Sequence, residues 1–507
     1  MSTIEDELPT YGGFHRPKGF GVGPFGPIGT FLLIALGLVT MLLVPLAGVT
    51  FAMPFGIIGL LLLLSLVWKD RWQQTPIDRI SARIGYRKAK RSGATQYRPG
   101  NLAHLGAHRL PGVLADSKLH EWEDSAGSVF TILEYPTTKM FVVNISADPD
   151  GAGMVDPEDL TKQVNRYGEW MASLAHESED LVQAAVTLES GQDSGSGLRL
   201  EMDTNASPNA SWLSKKWATD VKAKYPQGTS VIRSYITLTF KAPKPRLDLN
   251  GNKIKGQSAL EAIGRLVADR LPHLLDELPD TGAGEVEGMT SEAVIKTVRC
   301  AYNPQDQDIY DECASRGEEP PLTLWDNVGP TASDAHWDHY RHSGGASITW
   351  ETTGFVSRRV IAKVLVPILD PTPNVTKRIT FLYKIIDPAE AGQIAERDHQ
   401  AAEGRIVSAK KPTARQQRTA HEADVVRTNE ANGAALMNFA IMVTATVRDV
   451  ANLPDARATV DHQGATARLL LRLMHGTQDS AFAQSLGVLG LVTEKHLNVP
   501  TFLSNGL

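Results

Sequence analysis

Between Lys18 and Lys69 the chain carries no Asp, Glu, Lys, Arg or His. A membrane-spanning helix needs about 20 apolar residues, so the stretch from Phe20 to Trp68 is too long for one span and suits two. The first span reads Ile28 to Val44, and the second Phe51 to Trp68, densest at Ile57 to Val67. Pro45, Gly48 and Pro54 lie between them and suit a tight turn and a helix start. The competing reading is a buried hairpin in a soluble core, but so long an uncharged run is rare in soluble helices. A cleaved signal peptide fits poorly, because no basic segment opens the chain and a second span follows the first. The sequence therefore predicts a flexible tail at 1–19 and a transmembrane helical hairpin at 20–68.

Charge sets the orientation. Arg16 and Lys18 precede the hairpin. After it come Lys69, Arg71, Arg79, Arg83, Arg87, Lys88, Lys90 and Arg91, against only Asp70 and Asp78. Basic residues near span ends stay on the cytoplasmic side. The expectation is a multi-pass protein of the cytoplasmic (inner) membrane, with both termini and everything after Trp68 in the cytoplasm. Those eight basic residues form the candidate membrane-surface set, within a basic juxtamembrane segment at 69–98. Ile77, Ile80 and Ile84 fall at i, i+3 and i+7, so the segment reads as an amphipathic helix. On an anionic leaflet each nearby Lys or Arg contributes about 1 kcal/mol. The alternative is a solvated linker helix whose charges only fix topology.

The remainder has ordinary globular composition and is long enough for two or three domains. The net charge of -6 leaves no global nucleic-acid footprint, and direct nucleic-acid contact is left open. The two cysteines, Cys300 and Cys313, are too few for a disulfide framework and read as free thiols.

A first α+β domain occupies 99–245. Strands read at 128–135 and 140–146, joined by a short turn. Asp156-Pro157 opens a helix whose Leu160, Val164, Tyr167, Met171 and Leu174 share one face. Strands at 181–190 and 231–241 flank a helix at 210–224. The order β-β-α-β-α-β predicts an antiparallel sheet with helices on one side. The connecting region 246–345 holds helices opening at Ser258, with a capping box to Glu261, and at Ser291. Its end, 303–345, is polar and reads as an inserted loop or lid. A second α+β domain at 346–507 repeats the theme. Its strands read at 346–351, 378–386, 436–447 and 467–474, with a long exposed helical pair at 387–432. The predicted fold class is thus an α+β cytoplasmic body of two related halves, attached to the N-terminal hairpin. No repeat at a fixed period is visible in the sequence.

Candidate chemistry is sparse. Gly21-Val22-Gly23-Pro24-Phe25-Gly26 matches G-x-G-x-x-G, but no strand precedes it and a span follows, so it is not a nucleotide loop. No G-x-x-x-x-G-K-[ST] occurs, which argues against a P-loop motor. The densest polar run is Asp334-Ala335-His336-Trp337-Asp338-His339-Tyr340-Arg341-His342. On a helix, His339 would sit three residues from both His336 and His342, so two of the three could share a metal. A polar, aromatic interaction loop or ordinary packing is the competing reading and the one adopted. No G-x-S-x-G elbow is present and no carboxylate pair stands out. No catalytic or cofactor-binding residues are assigned, and no cofactor is expected.

Across most of its length the chain resembles a family of actinobacterial two-span membrane proteins associated with conjugative transfer and type IV secretion. The matching stretches are Gly12-Gly13-Phe14-His15-Arg16-Pro17, the basic run 83–91 leading to Tyr97-Arg98-Pro99-Gly100, Leu110-Pro111-Gly112 and the helix around Trp170. His336-Trp337-Asp338-His339-Tyr340-Arg341, Asp387-Pro388-Ala389 and Pro412-Thr413-Ala414 match as well. The segment ETTGFVSRR from Glu351 lacks a Trp-Pro pair that the pattern would place there. The resemblance implies a hairpin similar to the small inner-membrane subunit of such systems. It implies a body like the non-motor N-terminal part of the secretion ATPase. The expected role is a non-catalytic membrane scaffold that docks a partner motor ATPase, other membrane subunits or further copies of itself. A two-span subunit of a type VII-like system is the first alternative, and a membrane-tethered metal-dependent hydrolase using His336, His339 and His342 is the second.

Overall fold

Two apolar helices, α1 (Pro27–Ala47) and α2 (Val49–Val67), open the structure and turn back on each other at Gly48. The turn is one residue long because Gly48 takes a left-handed conformation, φ +77°, that a side chain would oppose. The helices approach closely where Gly59 meets the Leu36 side chain and Gly56 meets Thr40. Their apolar side chains find few other partners: Phe31, Met41, Leu46 and Phe51 are each at least 70% exposed. Over the described residues, no helix is long and apolar enough to cross a membrane. A helical hairpin is seen, then, and a membrane crossing is not.

The structure is a computed structural model that describes residues 27–67, 76–99, 108–149, 151, 155–177, 180–192, 196–224, 230–243, 258–321, 323–355 and 362–492. The expected tail at 1–19, the Gly21–Gly26 motif, Lys69 and Arg71 lie outside them.

After the hairpin come α3 (Pro76–Arg91) and a short strand, β1 (Gln96–Tyr97). The body then follows. Its first part holds β2 (Lys118–Glu123), β3 (Val129–Tyr135), β4 (Met140–Asp148), α4 (Pro157–Glu177), β5 (Leu181–Gln192), α5 (Ser196–Thr204), α6 (Trp212–Lys224) and β6 (Ser230–Lys241). It continues with α7 (Ala259–Glu277), β7 (Glu285–Gly288), α8 (Ser291–Tyr302) and α9 (Asp306–Arg316). The second part holds β8 (Ser333–Ala335), β9 (Tyr340–His342), β10 (Gly345–Phe355), α10 (Val366–Leu369), β11 (Val375–Ile385), α11 (Pro388–Val407) and α12 (Ala414–Ala431). It ends with β12 (Met437–Val447), α13 (Leu453–Thr466), β13 (Leu469–Leu473) and α14 (Gln478–Ser485).

The body is α+β, and its strands form one antiparallel sheet of 13 strands. One order of elements occurs twice in it. The first copy is β3, β4, α4, β5, α5–α6, β6, α7, β7, α8. The second is β9, β10, α10, β11, α11–α12, β12, α13, β13, α14. In space the strands lie β3-β4-β6-β5 and β9-β10-β12-β11, with β7 added to β4 and β13 added to β10. The two copies meet through β5 and β11, which pair antiparallel with Thr187 opposite Thr380. Like edges thus join about a pseudo-twofold at that pair. The stretch 303–345 is not an irregular lid: it carries α9, β8 and β9, and β8 pairs with both β1 and β9.

Strand alternation divides the sheet into two chemically distinct faces. One is apolar. Phe141, Val143, Ile145, Ile236 and Leu238 pack under Trp170 and Leu174 of α4 and Ile263, Val267 and Leu271 of α7. In the other half Ile348, Trp350, Ile379 and Val443 pack under Ile368 of α10 and Val460 of α13. The opposite face is rich in buried hydroxyls and amides, among them Asn144, Thr187, Thr237, Thr349, Thr380 and Thr444. Helices cover this face too: α8 supplies Val294, Val298 and Tyr302, and α14 supplies Phe482. The expectation of helices on one side is therefore corrected to helices on both. The first β-β-α-β-α-β stretch gave no sign of α8 and α14, because each follows the last strand of its half.

A segment that starts at the last residue of α14 crosses the hydroxyl face as a strap. Its backbone carbonyls at Ser485, Val488, Leu489, Gly490 and Leu491 accept from Thr380 (2.6 Å), Asn144 (3.0 Å), Tyr135 (2.7 Å), Thr239 (2.9 Å) and Gln183 (3.0 Å). These bonds give the five donors backbone partners, while Thr187, Thr237, Thr349 and Thr444 pair with other side chains, so polar groups are tolerated in the interior.

Candidate functional site

The predicted membrane-surface helix exists as α3 and is tied to the body. Arg79, Arg83, Arg87, Lys88, Lys90 and Arg91 are exposed on it. So are Ile80 and Ile84, at 58% and 60%, so the helix does not bury these two apolar residues against the protein. Contact with the body runs instead through Tyr86. Its ring meets Trp337 edge-on at 5.4 Å, and the Arg83 guanidinium lies 6.0 Å from the Trp337 ring centre. Just beyond, β1 adds to β8 with Gln96 opposite Asp334, and the Ala335 amide donates to the Thr95 carbonyl at 2.8 Å.

Trp337 is itself held from behind. The His475 ring stacks on it at 5.3 Å and 9°. Gly476 donates its amide to the Trp337 carbonyl at 2.8 Å, and a Cβ on Gly476 would come within 2.8 Å of the indole. Gly476 also has φ +78°, so both the backbone and the indole exclude a side chain.

The three histidines of this run are not on a helix. They lie on the β8–β9 hairpin, whose turn closes with the His336 amide donating to the His339 carbonyl at 2.9 Å. His336 and His339 stack at 4.3 Å, beside Asp334 and Asp338. His342 points to the other side, because strand alternation buries it with Tyr340. Its Nδ1 donates to the Tyr302 carbonyl at 2.6 Å and its Nε2 accepts from the Ser347 hydroxyl at 2.8 Å, an assignment that follows from the carbonyl's being acceptor only. The helical spacing that would let these histidines share a metal is thus absent. Among the described residues no group of three or more His, Cys, Asp or Glu could hold a metal ion.

Burial holds His342 down at about 4, and burial with the nearby His339 lowers His336. Burial and the Arg457 charge lower His475. All three favour the neutral form around pH 7. The same effect leaves Cys300 unreactive: burial pushes its thiol up to about 12. Both cysteines are free.

A second constellation escaped the sequence reading. Glu189 of β5 lies between Arg378 of β11 and Arg233 of β6, directly opposite both in register. Arg378 donates from Nε and Nη2 to one Glu189 oxygen at 3.0 and 2.8 Å; Arg233 reaches the other at 3.5 Å. Burial pushes the Glu189 carboxyl up, but the two guanidinium charges outweigh it and hold the group below its usual range. Glu189 as the one charged residue of β5 was the signal in the sequence, and strand pairing was needed to bring the three together.

No family model matches the chain, and no curated protein matches it significantly.

Proposed function

We propose that this protein is a membrane-anchored, non-catalytic scaffold subunit of a conjugative or type IV-like secretion complex, and that its body docks a partner motor ATPase. The observation that carries the proposal is the joint between hairpin and body. Two helices with unpartnered apolar surface run into a helix with an unburied Ile80–Ile84 stripe among basic residues, and that helix is pinned to the sheet through Tyr86 and Trp337. Apolar surface of this extent on a paired hairpin suits a lipid environment, and α3 suits the surface of an anionic leaflet. On this reading α1 and α2 lie in the inner membrane with both ends cytoplasmic, and the pinned α3 fixes the height and tilt of the sheet above the lipid. The missing P-loop and the family resemblance support a body that works beside a motor without being one.

Fractionation tests the anchor: the full chain should stay in membranes through carbonate extraction, and deletion of 20–68 should release it. Detergent extraction followed by affinity purification tests the partner. Recovery of a motor ATPase is the expected result, and recovery of the chain alone would overturn the docking role.

A further inference from the structure

On the hydroxyl face, at the seam between the two halves, lies a cavity of about 500 Å³. That volume is in the range of small-molecule sites. Its floor includes Arg233, Glu189 and Arg378, so two guanidinium groups share one carboxylate. Arg378 is almost fully buried, spends Nε and Nη2 on Glu189 and lies 5.9 Å from the centre of the Phe482 ring, so it holds Glu189 in place and does not present its own donors to the cavity. Among the described residues, Arg233 makes one hydrogen bond, the long one to Glu189. Arg233, about one-third exposed, is therefore the guanidinium that faces the cavity with N–H donors to spare.

Two further features mark a site kept open. Gly191 is buried on the same wall, yet a Cβ there would meet only the Thr376 side chain at 3.8 Å. A larger residue would project into the cavity. Near the mouth, Arg448 is fully engaged by Asp308 through two bonds at 2.6 and 2.7 Å, so it does not compete for a ligand. Asp311 also lines the wall and acts electrostatically on Arg233. The cavity is thus cationic at its floor and acidic nearer the surface.

We propose that this cavity binds a small ligand through a single oxyanion group, a carboxylate or a phosphate, held by Arg233, which the Glu189–Arg378 pair positions. Planar guanidinium groups match both oxyanions. The acidic wall selects against ligands with several negative charges and favours one whose far end carries a donor or a positive charge, as in an amino acid.

Thermal unfolding of the purified full-length chain tests this. Glycine, acetate and inorganic phosphate are compared with chloride at equal ionic strength. At least one should raise the midpoint by about 2 °C beyond chloride. A response to glycine and acetate identifies a carboxylate site, and a response to phosphate alone a phosphate site. Arg233→Gln should abolish the rise. So should Gly191→Val, which fills the cavity while leaving both arginines in place and decides the matter if Arg233→Gln fails to fold. No rise with any probe, or a rise that survives either substitution in a folded protein, overturns the proposal.

Discussion

The hydroxyls of Thr187 and Thr380 meet at 3.3 Å across the seam where the two halves of the sheet join, each residue directly opposite the other. Thr380 also donates to the Ser485 carbonyl at 2.6 Å, so it must accept from Thr187. The two threonines are therefore unequal. Thr380→Val removes two bonds and leaves a buried carbonyl and hydroxyl unpaired, a loss of about 2–3 kcal/mol. Thr187→Val removes only the weaker one, about 1 kcal/mol. Chemical denaturation of both variants should show this order, and equal losses would mean that the strap is not held at Ser485.

The joint at Trp337 should be separable from the body's stability. Gly476→Val drives a side chain into the indole and strains the backbone. The expected outcome is faster tryptic cleavage within α3, at Arg83 or Arg87, with the sheet remaining folded by circular dichroism. Trp337→Ala should act in the same direction. Unchanged cleavage in both would show that β1 alone holds α3.

Acid sensitivity should centre on His342. Its folded pKa, about 4, lies below the ordinary value of 6.5. The unfolded chain therefore binds the extra proton first, and stability falls as pH drops from about 6.5 to about 4. The full contribution is about 3 kcal/mol. His342→Gln, which cannot titrate, should flatten the stability profile over that window, and an unchanged slope would assign the acid loss to other groups.

Lys377 is buried on β11 and ties three acceptors together: the Ile368 carbonyl at 3.0 Å, the Asp370 carbonyl, and Gln463 Oε1 at 2.8 Å. It thereby fastens α10 and α13 to the sheet. Lys377→Met keeps the apolar stem but leaves these acceptors empty, and should cost about 2–3 kcal/mol by denaturant titration.

Local patterns carried much of the fold. The face Leu160, Val164, Tyr167, Met171 and Leu174 did become α4, and the Ser258 side chain does cap α7 by accepting from the Glu261 amide. The alternating strands at 140–146 and 231–241 paired as β4 and β6. What failed was the weakly patterned sequence. In β2, KLHEWE, most positions are polar because it is an edge strand. Strands β8 and β9, three residues each, are too short to show a period, so Asp334–His342 could be tried on a helix. The site was less legible still. The basic residues of α3 could be named, but Tyr86, Trp337 and Gly476 meet only once the second half has folded, and Glu189, Arg233 and Arg378 are brought together by pairing between distant strands.

The strap has a consequence for how the chain is made. Residues 485–491 are translated after all 13 strands, yet their carbonyls satisfy polar groups in both halves of the sheet. On the ribosome α8 can reach the hydroxyl face before this segment does, but Asn144, Tyr135, Thr239 and Gln183 lack their carbonyl partners until residues 488–491 leave the exit tunnel. A nascent chain that stops before residue 488 leaves these donors unpaired, so this segment acts as a check that the sheet before it is in place.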